Sequence, residues 1–182
     1  MITWIIIGLI AIIFLVFIYY YNRIVVLENR IDNGAAQIDV QLKKRADLIP
    51  NLVNVVKGYV KHERELLEKI TELRTKILNA SSIEEKAKAG NDLQKALKSL
   101  FAVVENYPNL KANENFLQLQ QELADIEDKI AYARQYYNDA VLSFNNFIER
   151  FPGVIIASLM GKKEKKYLEI PEEEKAVPKV NF

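Results

Sequence analysis

The N-terminus of the chain is one long uncharged, apolar run. The stretch ITWIIIGLIAIIFLVFIYYY follows Met1, and a helix of this length crosses a hydrocarbon core of roughly 30 Å at about 1.5 Å per residue. A cleavable signal peptide would need a basic N-terminal region and small residues at a cleavage site. No Lys or Arg precedes the run and three tyrosines end it, so we expect residues 1–22 to be an uncleaved transmembrane anchor.

The charges beside the anchor predict its orientation. Residues 1–3 carry no basic side chain, whereas Arg23, Arg30 and three basic residues at 43–45 follow the anchor. Because basic residues favour the cytoplasmic side, this asymmetry predicts a cytoplasmic soluble part and an N-terminus outside the membrane. Glu28 and Asp32 lie among these arginines and weaken the bias.

The rest of the chain has the apolar spacing of helices. Apolar residues recur at steps of three and four within residues 24–42, 52–77, 87–104 and 116–148, which marks one face of a helix in each segment. Ser81 with Glu84, or Ser82 with Glu85, can form a capping box that begins the third segment. We expect the longest helix to run from about Asn113 to Arg150.

Pro50 leaves two packings open. Proline lacks the amide hydrogen that a helix interior needs and clashes with the preceding turn. If residues 47–50 form a turn, four helices can fold into an antiparallel bundle; if Pro50 only kinks a helix, one rod continues from the membrane. The apolar stripe continues from Leu42 to Ile49, which favours the rod, whereas the segment lengths favour the bundle.

The end of the chain combines an apolar stretch with a basic one. Residues 154–160 are apolar and Lys162, Lys163, Lys165 and Lys166 follow. The apolar stretch could lie at the lipid interface, with the lysines facing acidic headgroups, or it could cap the end of the bundle. The charged, proline-containing tail, residues 162–182, is expected to be flexible.

The composition argues against most chemistry. A net charge of +1 gives no general attraction to nucleic acid, and the absence of cysteine excludes disulfides and thiolate sites. His62, the only histidine, has no second histidine four residues later, so the zinc pair of a metalloprotease cannot form. Glu122, Asp125 and Asp128 share one helix face, which is typical of solvated surface. We therefore predict no catalytic site, no cofactor, no metal and no nucleic-acid partner.

Two groups of polar residues are the candidates for a functional surface. They crowd the first and last soluble helices and are Arg30, Asp32, Asn33, Gln37 and Asp39, then Arg134, Asn138 and Asp139. Both groups could be solvated faces. Alternatively they form a polar seam between the two helices, which would fix their register, or a surface for a partner.

Several polar strings resemble the LemA family. They are RIDN from Arg30, AQIDVQLKKR from Ala36, DLIPNLV from Asp47, VKGY from Val56, HE from His62, YPNLKAN from Tyr107, ARQYYN from Ala133 and FP from Phe151. The resemblance covers roughly residues 21–167. Two positions differ from the usual family pattern, since Ala35 replaces a tryptophan and Lys162 replaces an aromatic residue after the glycine.

The resemblance implies a bacterial single-pass protein of the cell membrane with a four-helix soluble bundle and no catalytic residues. It therefore favours the bundle over the rod. We expect an all-α fold in three parts, which are the anchor at residues 1–22, an antiparallel four-helix bundle at 23–161 and the flexible tail at 162–182.

The function predicted is a membrane-anchored scaffold or adaptor, not an enzyme. Its partners would be the lipid bilayer and other membrane or envelope proteins, and self-association is the simplest version, since closed symmetry needs one patch. The alternative is an accessory regulator of a membrane protease or transporter that acts partly through its transmembrane helix, with Gly8 and Ala11 as a packing face. A deep pocket with convergent polar groups would instead favour an enzyme.

Overall fold

The computed structural model describes residues 1–60 and 63–169, and their regular elements are helices. In chain order these are α1 (Ile2–Lys57), α2 (Arg64–Asn79), α3 (Ile83–Val104), α4 (Pro108–Lys111), α5 (Glu114–Glu149) and α6 (Gly153–Leu159). The described part of the chain contains no strand, so the predicted all-α class is confirmed. His62 and residues 170–182 of the predicted tail lie outside the described residues.

The contacts within the chain define two compact units. Unit 1 joins Met1–Ala35 to Arg134–Tyr167, and the described part of unit 2 is formed by Ala36–Ala133 with Leu168 and Glu169. Unit 1 is thus built from two segments that are far apart in the sequence. The predicted boundaries at residues 22 and 161 are not tested by this division and stay predictions.

Helix α1 runs through Pro50, so of the two alternatives left open at residues 47–50 the turn does not form. The missing amide of Pro50 would have donated to the carbonyl of Ala46, one turn earlier. The Arg74 guanidinium on α2 replaces that donor, with Nε 2.9 Å from the Ala46 oxygen. The helix ends instead at Lys57, before Gly58, whose helix propensity is low. Because α2 is a separate helix, residues 24–77 do not form one rod either.

In unit 2, α2 and α3 pack on each other and are joined by a capped turn. The apolar residues of α2 recur at three and four and are buried: Leu67, Ile70, Leu73 and Ile77. Ser82 caps α3, because its hydroxyl accepts a hydrogen bond from the Glu85 amide at 3.2 Å. The Glu85 carboxylate in turn accepts from the amide of Ser81 at 3.3 Å. The predicted box is therefore Ser82 with Glu85, and its return bond reaches one residue further back.

In unit 1, segments of α1 and α5 lie side by side. A Cβ on Gly34 would be 3.0 Å from the Tyr137 Cα, so the missing side chain at position 34 favours this close approach. Towards the other end of the pair, the rings of Tyr20 and Phe147 stack with centroids 5.1 Å apart. The core between these contacts contains the buried residues Ile24, Leu27, Ile31, Val141, Phe144 and Ile148.

Candidate functional site

The structure divides the eight predicted polar residues between the two units. Arg30, Asp32, Asn33, Arg134, Asn138 and Asp139 belong to unit 1, and Gln37 and Asp39 belong to unit 2. On α1 all are exposed except the half-buried Asp39, whose carboxylate accepts from Lys86 Nζ on α3 at 2.6 Å. On α5 Arg134 is 3% exposed, Asn138 is half-buried and Asp139 is exposed. The seam between the first and last helices stays a prediction.

The most unusual surface of unit 1 surrounds α6. Phe151 is 81% exposed and Leu159 is 74% exposed, and Val154 and Ile155 are also exposed. Gly153, Ile156 and Ala157 are buried on the other side of the same short helix. A helix at a water surface usually presents a polar face to the solvent, but α6 has apolar side chains on its exposed face as well as on its buried face. We call Phe151 and α6 the α6 platform.

The α6 platform adjoins the end of the candidate membrane span. The apolar N-terminal part of α1 is long enough to cross a membrane, and none of its most apolar window is buried. Tyr20 lies near the end of this run, in contact with the Phe147 ring. A Cβ on Gly153 would be 3.6 Å from the Tyr20 ring. The first residue of α6 is therefore beside the last turns of the span.

The segment after α6 is fixed on unit 1 by specific contacts. The Asn145 side chain donates to the Lys165 carbonyl and accepts from the Lys165 amide, both at 2.9 Å. Lys162 Nζ lies 2.5 Å from one oxygen of Glu28, and Lys165 Nζ lies 3.5 Å from the other. The hydrogen bond from Lys162 is the main reason that the pKa of Glu28 is lowered, against the raising effect of burial. Lys162 and Lys165 therefore have specific contacts in unit 1, and the flexible tail at residues 162–182 stays a prediction.

In unit 2 a buried arginine links three helices. Arg45 on α1 is 1% exposed, pairs with Glu127 on α5 and donates to the Gly90 carbonyl on α3 at 2.7 Å. A buried charge is tolerated only when it is paired and hydrogen-bonded. The sequence contained a signal for this site, because Arg45 takes the core position of the stripe between Leu42 and Ile49, three and four residues away.

Unit 2 also has an open groove lined by side-chain amides. It is about 420 Å³ in volume and lies between α1 and α5. The carboxamides are Asn51 and Asn54 on one side and Asn115 and Gln118 on the other, with Leu48, Val55, Leu119 and Glu122 completing the lining. Each carboxamide both donates and accepts hydrogen bonds. The groove can thus recognise a neutral polar group, in particular a peptide backbone.

The acidic row of α5 has the contacts of solvated surface. Glu122 accepts from Gln118 at 3.0 Å and Asp125 accepts from Gln121 at 2.9 Å, in each case one turn earlier on the same helix. Among the residues that the structure describes, no group of three or more His, Cys, Asp or Glu could hold a metal ion.

These features define a class, which is an all-helical protein with one candidate membrane span at its N-terminus. Residues 34–182 match the model of the LemA family, and the chain belongs to this family. The resemblance seen in the polar strings is therefore confirmed.

The chain is also similar to curated proteins. The chain is 31% identical over 147 residues to Protein LemA of Metamycoplasma hominis, covering 78% of this chain and 65% of that protein. It is 24% identical over 175 residues to Magnetosome protein MamQ 2 of Paramagnetospirillum magneticum, covering 82% and 64%. A MamQ of Magnetospirillum gryphiswaldense is 23% identical over 173 residues, covering 81% and 64%. The chain thus spans slightly less than two thirds of the length of these relatives. Together with the candidate span they fit a membrane protein.

Proposed function

We propose that this protein is a membrane-anchored helical scaffold that acts by binding other proteins, without catalysis of its own. The first apolar segment would be the anchor, and the soluble part would be an antiparallel four-helix bundle on the cytoplasmic side. Its partners would be membrane or envelope proteins, including further copies of the chain. Anchoring confines both partners to one layer, so that weak contacts gain effective concentration.

The observation that carries the proposal is the amide groove of unit 2. Asn51, Asn54, Asn115 and Gln118 offer paired donors and acceptors from two helices, which suits the backbone of an extended peptide segment. The apolar side chains of Leu48, Val55 and Leu119 between them would contact the side chains of that segment. Glu122 is the one ionisable residue in the lining. A single carboxylate beside amides does not supply both the nucleophile and the general base that covalent catalysis uses.

Cross-linking from within the groove tests the proposal. A photoreactive amino acid at Asn54, in the full-length chain in native membranes, should give discrete adducts that mass spectrometry identifies as proteins. Ser99 on α3 is also exposed and lies in unit 2 outside the groove, so it serves as the matched control position. The same adducts from both positions, or none from Asn54, would refute the groove as the binding surface. Substrate turnover by the purified full-length protein would refute the non-catalytic part.

A further inference from the structure

The level of the α6 platform along the anchor can be worked out from helix geometry. Residues 2–21 of α1 rise about 30 Å, which equals the thickness of the hydrocarbon core. Tyr20 then lies at one boundary of this core. Because the Phe147 ring stacks on Tyr20 and Gly153 lies beside it, α6 begins at the level where the acyl chains meet the headgroups.

The side chains of the α6 platform suit that level. Phe151, Ile155 and Leu159 are exposed and apolar, and the helix GVIIASL has one polar side chain, that of Ser158. In water this surface would be unfavourable, whereas interfacial helices bury such a face at the boundary of headgroups and acyl chains.

The charges beyond α6 suit the headgroups. Residues 150–167 contain five basic side chains and one acidic one. Lys162 and Lys165 pair with Glu28, whereas Lys163 and Lys166 are exposed. Glu28 lies seven residues beyond residue 21, about 10 Å further along the helix, and the headgroup layer is roughly 5–7 Å thick. A lysine side chain can span the difference, so these lysines lie within reach of acidic lipids.

We propose that the α6 platform is a second membrane contact, in which Phe151, Ile155 and Leu159 insert into the lipid interface and Lys163 and Lys166 bind acidic headgroups. The occupant is the lipid bilayer and not a protein, because the apolar face, the boundary of the span and the basic residues coincide at one level. The inference rests on the membrane anchoring within the proposed function and is independent of protein binding in unit 2. It gives the protein a surface that senses the charge of the lipids around its anchor.

Depth-dependent fluorescence quenching tests this proposal. The chain has no cysteine, so a single cysteine at Leu159 or Phe151 can be labelled with an environment-sensitive dye. Each labelled full-length protein is placed as a single copy in lipid nanodiscs that contain lipids spin-labelled near the top of the acyl chain. Gln135→Cys is the control, because Gln135 is exposed, belongs to unit 1 and lies twelve residues before Phe147 on α5, about 18 Å along the helix.

The expected result is at least about twofold more quenching at positions 151 and 159 than at 135. Adding about 30% anionic lipid should increase quenching at 159, and the pair Lys163→Glu with Lys166→Glu should abolish this increase. Lipid quenching at position 159 that is no greater than at position 135 would overturn the proposal. Acrylamide, a water-soluble quencher, would then show whether the dye at 159 is in water or covered by a protein, and either result counts against the lipid contact. An unchanged response to anionic lipid in the double variant would overturn the role of the lysines.

Two further measurements distinguish a failure of the α6 platform from a failure of the membrane anchor. Trp4 is the only tryptophan, so quenching of its intrinsic fluorescence by the same lipids reports whether the span is in the bilayer. Loss of Trp4 quenching would overturn the anchoring, whereas retained Trp4 quenching with an unquenched label at 159 overturns only the platform. Equal helical circular dichroism of all labelled variants shows that the cysteines leave the fold intact.

Discussion

Replacing Arg74 with methionine removes the donor that Pro50 makes necessary. Pro50 has no amide hydrogen, so the Ala46 carbonyl lacks its normal partner within α1 and accepts from Arg74 Nε at 2.9 Å instead. Ala46 is fully buried, so water cannot readily replace the guanidinium. Methionine keeps the length of the stem and its apolar contacts, so that the change isolates the hydrogen bond.

The expected cost follows from this geometry. A hydrogen bond from a charged group contributes about 1.5–3 kcal/mol, and the partial exposure of Arg74 places it at the low end, about 1.5 kcal/mol. For a chain of this size that loss lowers the melting temperature by roughly 3–6 °C. In a Pro50→Ala background residue 50 regains its amide hydrogen and satisfies the Ala46 carbonyl. There Arg74→Met should cost roughly 0.5 kcal/mol or less, giving a coupling energy of about 1 kcal/mol.

The assay is thermal and urea unfolding in detergent, monitored by far-ultraviolet circular dichroism. The four full-length proteins compared are the wild type, Arg74→Met, Pro50→Ala and the double variant. Arg64→Met is the control, because Arg64 is an exposed arginine on the same helix and pairs with the exposed Glu68 one turn later. It should leave the melting temperature unchanged in both backgrounds. An equal loss from Arg74→Met with proline or alanine at position 50 would refute the compensation.

Three further predictions concern helix contacts and charge. Gly34→Val should destabilise by about 2 kcal/mol, because its side chain meets the α5 backbone. Glu127→Leu should cost about 2–4 kcal/mol by leaving Arg45 buried and unbalanced, and the double variant with Arg45→Met should recover most of that loss. The stability gap between wild type and Glu28→Gln should be complete above the usual carboxyl pKa of 4.5 and disappear as the pH falls through the lowered pKa of Glu28, because Lys162 favours the ionised form.

Chemical denaturation checks all three. Gly34→Ala controls for helix propensity and should stay within about 1 kcal/mol of wild type, since the propensity gain offsets the tight contact; a similar value for valine would disprove the close-approach argument. If the double variant loses as much stability as the two single variants together, the unpaired charge of Arg45 is not the source of the loss in Glu127→Leu. For the pH series Glu164→Gln is an exposed control, and a gap that does not shrink as the pH is lowered further below 4.5 would contradict the role of Glu28.

Local patterns were sufficient to predict α3 and α5 but not the long-range partners. The apolar stripe predicted the longest helix from Asn113 to Arg150, and α5 runs from Glu114 to Glu149. The cap of α3 could also be predicted, because Glu85 lies within four residues of both Ser82 and Ser81, to which it is hydrogen-bonded. A capping box and an amphipathic stripe are local properties, so the sequence contains all the information that they need.

The errors arose where a distant residue changes a local preference. Pro50 alone predicts a helix break, but Arg74 is 28 residues from Ala46 and provides the missing donor. The contact of Asn145 with both backbone groups of Lys165 is equally long-range, with the partners 20 residues apart, and no local pattern indicated it. The burial of Arg45 could have been inferred from its place on the stripe, although its partners Glu127 and Gly90 could not.

The division of the chain between the two units has a consequence for biosynthesis. Unit 1 joins Met1–Ala35 to Arg134–Tyr167, whereas most of unit 2 is the continuous stretch between them. The ribosome therefore makes Met1–Ala35 well before Arg134–Tyr167, the segment that completes unit 1. At roughly 5–20 residues per second the first segment waits several seconds or more for its partner. During that time the apolar faces of Ile24, Leu27 and Ile31 have no α5 to cover them. We therefore expect the newly made chain to depend on a temporary cover for these faces, such as a chaperone or a membrane surface, until α5 has been made.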